Sequence, residues 1–174
     1  MIEERLAALG IELPPAPPRG GNYTPIKYFS EDRLVYCSGF GSTTPEYTIT
    51  GKLGGEVTQE QGYQAARNCI LNLLSAFRRD IGSLDEIKSC VKMLALVAST
   101  DDFYQQPAVA NGATDLLAEL FGPEAGLPAR SAIGVNVLPG NIPVEIEVMI
   151  DKLPYVKENV VMGEEEGDDY RLVA

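Results

Sequence analysis

The 174-residue chain contains no histidine and no tryptophan, and it has only three cysteines. The missing histidine excludes Ser-His-Asp and Cys-His catalysis, histidine-ligated zinc and pH switching by imidazole. Acid–base chemistry would therefore depend on carboxylates, tyrosine, lysine, cysteine or a water held by the backbone. Cys37, Cys69 and Cys90 form no Cys-x-x-Cys pair, which excludes a zinc knuckle and a thioredoxin motif. Their apolar neighbours indicate buried free thiols and a reducing cytoplasm.

Basic residues are also scarce, because 14 Lys and Arg against 25 Asp and Glu give a formal net charge of -11. Proteins that bind nucleic acids or anionic membranes concentrate Lys and Arg, so we expect neither partner. No apolar run approaches the roughly 18 residues that cross a bilayer. The N-terminus starts Met1-Ile2-Glu3-Glu4 without a basic segment before an apolar one, so we expect no secretory signal. The length predicts one domain, with or without extensions.

The two ends of the chain differ in composition from its centre. Residues 1–10 have the apolar spacing of a short helix, and four prolines within residues 14–18 predict an extended polyproline path. We interpret residues 1–20 as an arm that lies on the body, or as a linker. Residues 152–174 are acidic and predict a solvated tail, with metal binding as the less favoured interpretation. The domain would then span residues 21–151.

Two amphipathic helices are predicted between these ends. Thr58 to Gln61 matches the S/T-x-x-E/Q capping box, and the apolar stripe behind it predicts a helix of about six turns that ends at Gly82. A second helix would begin at Thr100 and stop before Pro123. Pro107 weakens the first half of that helix and allows a kink there.

The remaining ordered segments are predicted to be strands. Tyr28-Phe29 and residues 34–37 predict a hairpin, residues 91–97 a buried strand, and residues 130–138 and 144–150 two closing strands. The order β-β-α-β-α-β-β predicts an α+β sandwich, with two helices on one face of a mixed sheet. We expect the two closing strands to pair with each other as a hairpin.

The alternation of polar and apolar residues along the two closing strands predicts one polar face. Arg130 and Ala132 would share it with Glu145 and Glu147, whereas Ile133 would face the core. An arginine above small residues has room for a carboxylate, and a glutamate could position or deprotonate water. Pattern alone favours a plainer interpretation, surface ion pairing, which contributes little to stability. Arg130 and Glu145 would lie roughly 13–20 Å apart along one hairpin, so a shared ligand would require a second subunit.

At these residues the sequence resembles the RidA/YjgF family, the reactive-intermediate deaminases, which are also described as endoribonuclease L-PSP or translation inhibitors. The resemblance covers residues 21–150, and the chain looks like a longer branch of the family. The motifs that carry it are Leu127-Pro128-Ala129-Arg130-Ser131, Leu138-Pro139, Val144-Glu145-Ile146-Glu147, Gly21-Asn22-Tyr23, Ser38-Gly39 and Asn111.

The resemblance implies a homotrimer of chorismate-mutase-like subunits with a cleft between each pair. Family members hydrolyse enamines and imines such as 2-aminoacrylate to 2-keto acids and ammonia, without a cofactor. Arg130 matches the arginine that holds the substrate carboxylate, and Glu145 matches the glutamate near the attacking water. The matching cleft-wall residues are Tyr23, Ser38, Gly39, Phe40, Asn111 and the backbone at Ala132.

The chain departs from the family pattern at three places. Ala132 stands where a cysteine is common, Phe40 replaces a common glutamine and would make the mouth more apolar, and the segment before Asn111 is longer by about one helical turn. These departures keep a second hypothesis open, a trimer that binds small carboxylates without turnover. A third hypothesis, a ribonuclease or translation inhibitor, is disfavoured by the net charge of -11.

Overall fold

One six-stranded sheet carries two long helices on one of its faces. The computed structural model describes residues 1–153, so the predicted acidic tail lies outside the described residues except for Lys152 and Leu153. The strands are β1 (Ile26–Phe29), β2 (Leu34–Cys37), β3 (Phe40–Gly41), β4 (Ile87–Ala98), β5 (Ala129–Val135) and β6 (Val144–Lys152). The helices are α1 (Ile2–Ala8), α2 (Gln59–Ile81), α3 (Gln106–Phe121) and α4 (Pro123–Gly126), with 3-10 turns at Leu84–Glu86 and Pro139–Asn141. The predicted α+β class with two helices on one mixed sheet is confirmed.

The strands are ordered β1-β2-β6-β4-β5, and β3 also pairs with β6. Every pairing is antiparallel except that of β4 with β5, which is parallel. The prediction that the two closing strands form a hairpin is wrong, because β4 lies between β5 and β6. Since α3 provides the crossover that a parallel pair requires, β5 returns beside β4 and leaves the other edge of β4 for β6.

The long helix α2 follows its sequence signals closely. The Thr58 side chain accepts from the Gln61 N–H at 3.2 Å, and the Gln61 side chain accepts from the Thr58 N–H at 2.9 Å, so the predicted capping box is confirmed. Gly82 closes the helix at φ +104°, a conformation that residues with a Cβ rarely adopt.

The second long helix starts later than predicted. It begins at Gln106 rather than near Thr100, and Pro107 lies in its first turn. A proline there removes no helical hydrogen bond, so Pro107 does not interrupt the helix interior, where the sequence allowed a kink. The Thr100 hydroxyl instead donates to Asp102 at 2.7 Å in the preceding turn.

Glycine allows α2 and α3 to approach closely. A Cβ on Gly112 would overlap the carbonyl oxygen of Tyr63, so only glycine fits at this crossing. The Tyr63 hydroxyl donates to Asp115 at 2.9 Å beside it. The two helices therefore form one layer over the sheet.

The two faces of the sheet differ in burial. Met93, Ala95 and Val97 of β4 are fully buried beneath the helices. No helix covers the opposite face within residues 1–153, where Tyr36 and Ile133 are 42% and 47% exposed. We call this uncovered side the open face. It leaves apolar side chains in solvent in the single chain.

The N-terminal segment lies on the helical layer. Leu6 of α1 is only 2% exposed, and Glu3 forms a two-point ion pair with Arg78 of α2 at 3.1 and 2.5 Å. Further along, the Ser75 hydroxyl donates to the Pro14 carbonyl at 2.5 Å. Residues 1–20 therefore follow the surface of the body and do not extend away from it.

The three cysteines are buried and free, as the sequence predicts. Burial raises the pKa of Cys37 and of Cys90 to about 12, so both remain neutral thiols at neutral pH and are poor nucleophiles. Among the helices of residues 1–153, none combines the length and the apolarity that crossing a membrane requires.

Candidate functional site

Arg130 on β5 is held by helix α3. Its Nη1 donates to the Asn111 side-chain oxygen at 2.9 Å and to the Thr114 hydroxyl at 3.1 Å, and its Nη2 donates to the Pro107 carbonyl at 3.3 Å. All three acceptors are neutral, and Arg130 has no ion-pair partner among residues 1–153. Two of its five N–H groups have no acceptor there. The geometry therefore fixes a cation that can still bind a carboxylate.

The face that carries Arg130 is not the predicted one. Arg130 and Ala132 pair in register with Met93 and Ala95, which lie beneath the helices. Ile133, predicted to face the core, points to the open face. The physical reason is that β5 is an edge strand, where α3 brings polar acceptors over the sheet and the apolar residues line the uncovered side.

Glu145 on β6 points to the open face, because its neighbours Val144 and Ile146 are buried under the helices. Its side chain lies against Gly39, where a Cβ would overlap the carboxyl group. No hydrogen bond or ion pair of Glu145 is formed within residues 1–153. Burial, and to a lesser degree the charge of Glu147, raises the pKa of Glu145 above its ordinary value.

A pocket of about 210 Å³ opens beside this carboxylate. Four predicted cleft residues line it together with Glu145, and residues 17–20 of the N-terminal segment form another part of its wall. The four residues are Tyr23, Ser38, Gly39 and Phe40. The structure thus brings this part of the predicted site together.

The pocket residues have different local roles. The Tyr23 hydroxyl accepts from the Gly20 N–H at 3.1 Å, and the Ser38 hydroxyl donates to the Thr24 carbonyl at 2.8 Å. Both contacts fix the short loops around the pocket. Phe40 is only 6% exposed, so most of its ring belongs to the core and little of it to the mouth.

Arg130 and Glu145 do not meet within one chain. Arg130 pairs in register with Met93 of the intervening strand β4, and Glu145 pairs in register with Leu96 of the same strand. Three residues along the strands and two strand spacings separate their Cα atoms by about 14 Å, and their side chains leave opposite faces of the sheet. Asn111 and Ala132 lie with Arg130, and the other predicted residues lie with Glu145. The site in one chain is therefore two half-sites.

Sequence reasoning missed three residues near these half-sites. Thr114 lies three positions after Asn111 and so shares its helix face, which is a signal that could have identified it. The Pro107 carbonyl and the side chain of Arg19 give no such signal, because their positions depend on where α3 starts and where the N-terminal segment lies. Within residues 1–153 no group of His, Cys, Asp and Glu side chains is arranged to hold a metal ion.

Comparison with known proteins finds a matching family, a related protein and solved structures of similar fold. Residues 3–151 match the family described as YjgF/chorismate mutase-like, putative endoribonuclease. Protein TCP17 of Trypanosoma cruzi is 36% identical over 151 residues, which cover 86% of this chain and 93% of that protein.

Two crystal structures resemble the whole fold. Atu1372 of Agrobacterium tumefaciens, a protein with unknown function, has a TM-score of 0.78 and 35% identity over 87% of this chain and 92% of its own. A putative endoribonuclease from Shewanella oneidensis MR-1 has a TM-score of 0.81 and 29% identity over 87% of this chain and 99% of its own.

Proposed function

Because the chain belongs to the YjgF/chorismate mutase-like family, as its sequence motifs predict, we propose that it hydrolyses reactive 2-imino acids and their enamine tautomers. The products are 2-keto acids and ammonia. The observation that carries the proposal is a pair of opposite charges, Arg130 and Glu145, each without an ion-pair partner among residues 1–153. A carboxylate-bearing substrate that needs a proton acceptor would complement both.

Arg130 serves as the anchor for the substrate carboxylate. Asn111, Thr114 and the Pro107 carbonyl hold the guanidinium in one orientation before the substrate arrives. A pre-oriented arginine binds a carboxylate through two parallel hydrogen bonds and loses little side-chain freedom in doing so. The imine carbon beside that carboxylate is thereby placed at a defined position.

Glu145 serves as the proton acceptor for water. Its half-buried carboxyl group has no donor among residues 1–153, and burial raises its pKa. A carboxylate with a raised pKa is a stronger base than an ordinary surface glutamate. Gly39 leaves the space that the Glu145 carboxyl group itself occupies, and the pocket opens beside that group.

The two half-sites meet only if chains assemble. We propose a homotrimer in which Arg130 of one subunit approaches the Glu145 pocket of the next. The open face supports assembly, because Ile133 and Tyr36 expose large apolar side chains there, and exposed apolar surface is typical of interfaces. Arg130 lies on the edge strand of the sheet, where a neighbouring chain can reach it.

The reaction needs only binding and proton transfer. Water attacks the imine carbon while Glu145 takes one of its protons, and the C=N double bond becomes a single bond to nitrogen. Glu145 returns that proton to the nitrogen, which gives a carbinolamine. It then carries the hydroxyl proton of the carbinolamine to the same nitrogen, the C–N bond breaks, and ammonia leaves as the C=O bond forms. One imine and one water give one keto acid and one ammonia. Because such imines already hydrolyse in water, positioning and charge stabilisation are sufficient.

The proposal can be tested by coupling the protein to a dehydratase that releases 2-aminoacrylate and by measuring pyruvate formation. We expect wild-type protein to accelerate pyruvate release and Arg130→Ala to abolish the acceleration. Arg67→Ala is the matched control, because it removes a cation that contacts Glu119 on the helical layer. Circular dichroism would show that each variant is folded.

Three results would contradict the proposal or redirect it. Absence of any acceleration over buffer would refute hydrolysis of this substrate. Binding of 2-ketobutyrate at Arg130 without turnover would favour the carboxylate-binding trimer. Cleavage of RNA that is lost in Arg130→Ala would instead support the endoribonuclease described for the family, which the net charge of -11 does not favour.

A further inference from the structure

Arg19 lies at the rim of the Glu145 pocket, in the segment that connects α1 to β1. Two hydrogen bonds fix the backbone on either side of it. Arg79 Nη1 of α2 donates to the Pro17 carbonyl at 3.3 Å, and the Gly20 N–H donates to the Tyr23 hydroxyl at 3.1 Å. The position of Arg19 therefore depends on the body of the protein as well as on the N-terminal segment.

Arg19 is the single cationic side chain among the described residues that line this pocket. Within residues 1–153 it forms no ion pair and no side-chain hydrogen bond. The nearby Asp80 is already bound by Arg79 through contacts of 2.6 and 2.8 Å. The hydrogen bond from Arg79 is the main cause of the lowered pKa of Asp80, to which Arg19 adds a smaller effect. The guanidinium of Arg19 is therefore available to a ligand.

We infer that Arg19 binds a second anionic group of the substrate, so that the preferred substrates are imines of dicarboxylic acids. The inference rests on the proposed function, in which Arg130 holds the carboxylate next to the imine carbon and Glu145 activates water. The distal carboxylate then points along the pocket towards Arg19. The hydrolysis itself is unchanged and consumes one water for each ammonia released.

The dimensions of the pocket are compatible with this class of substrate. Its volume of about 210 Å³ equals roughly seven water molecules, which leaves room for a short chain that ends in a second carboxylate. Glu145 would repel that carboxylate if both were charged and close. A positive side chain that lines the same pocket, as Arg19 does, offsets this repulsion and holds a dianion in one direction.

A binding experiment isolates the role of Arg19 from catalysis. The probes are 2-oxoglutarate and 2-oxovalerate, which have the same number of carbons and differ in the distal carboxylate. We expect calorimetry to show that Arg19→Gln weakens binding of 2-oxoglutarate by about five-fold, as a partly exposed ion pair gives, and leaves 2-oxovalerate unchanged. Arg19→Lys should retain most of the affinity.

Lys27→Gln is the matched control, because Lys27 is an exposed cation on β1 and does not line the Glu145 pocket. It removes the same charge from the chain. Lys27 and Arg19 also line a neighbouring pocket beside Asp80. If Lys27→Gln weakens binding of 2-oxoglutarate as much as Arg19→Gln does, the cause is net charge or that neighbouring pocket, and the inference is overturned. An equal effect of Arg19→Gln on both probes would overturn it as well.

An assay of imine hydrolysis with two substrates distinguishes failure of this inference from failure of the proposed function. An oxidase can supply the imines of glutamate and norvaline, and the protein should accelerate hydrolysis of the glutamate imine more. If the protein accelerates hydrolysis of both imines equally and Arg19→Gln does not change either rate, the role of Arg19 is refuted and the proposed function is retained. No acceleration of either, combined with Arg19-dependent binding of 2-oxoglutarate, would refute the function and retain the anion site.

Discussion

Arg130 and Glu145 leave opposite faces of one sheet, with strand β4 between the strands that carry them. Each is a charged group without an ion-pair partner among residues 1–153. Such a pair cannot act on one small ligand within a single chain, but it can when the edge strand of one chain meets the open face of another. The catalytic proposal and the assembly proposal therefore depend on each other.

Asn111 should act as a positioning residue for Arg130. Asn111→Ala removes the 2.9 Å contact that orients Nη1, so we expect the KM for the imine substrate to rise about five-fold while kcat changes less. Five-fold corresponds to about 1 kcal/mol. This is less than the roughly 1.5–3 kcal/mol of a hydrogen bond to a charged group, because Thr114 and the Pro107 carbonyl still hold the guanidinium. Asn111→Asp keeps the shape but offers a carboxylate that competes for the guanidinium. Its KM should therefore rise further, and an unchanged KM in both variants would contradict the assignment.

The pH dependence of kcat/KM should depend on the charge of Glu147, which lies two residues from Glu145. The pKa of Glu145 is raised by burial and further by the negative charge of Glu147. Because the base must be ionised, kcat/KM should increase with pH through this raised pKa. Glu147→Gln removes the repulsion, lowers the pKa of Glu145, and should move the acidic limb of the profile to lower pH.

The Tyr36 hydroxyl donates to Glu147 at 2.7 Å, which permits a control for that experiment. Tyr36→Phe removes this contact but keeps the charge of Glu147. Its acidic limb should not move to lower pH as that of Glu147→Gln does. If the acidic limb of the kcat/KM profile stays at the wild-type pH in Glu147→Gln, ionisation of Glu145 does not control kcat/KM.

Assembly should depend on the open face. Ile133 is 47% exposed there in the single chain, and a buried, unpaired charge at an interface is costly. Ile133→Asp should therefore convert a trimer into monomers, measured as mass by light scattering. Leu9→Asp is the matched control, because Leu9 is 43% exposed just after α1, and it should remain trimeric. A monomeric wild type would contradict the proposed site.

The N-terminal helix should contribute to stability. Leu6→Ala removes a side chain that is 2% exposed and should reduce the free energy of unfolding by about 3 kcal/mol. For a chain of this size that corresponds to a decrease of roughly 10 °C in Tm, measurable by calorimetry. Leu9→Ala, at an exposed position, should change Tm by less than about 2 °C. Equal effects would show that α1 does not pack on the body as described.

Local signals in the sequence determined the helix α2 and the nature of the core. The capping box at Thr58 and the glycine at position 82 act within a few residues of chain, so they mark the same ends in the sequence and in the structure. The burial of the cysteines follows in the same way from their apolar neighbours. The family motifs also identified which charged residues to consider, although they did not show how those residues meet.

Strand order and the direction of Arg130 were decided only by tertiary structure. Alternation gives two faces to β5 but does not show which face the helices cover, and α3 placed its polar side chains above Arg130. The pairing of β5 with β4 depends on that same helical crossover, which joins residues far apart in sequence. Arg19 reaches the Glu145 pocket because the N-terminal segment packs across α2, and its own sequence does not specify that contact. Long-range packing therefore decided which charges share a site, since no local pattern encodes the distance between segments that meet only on folding.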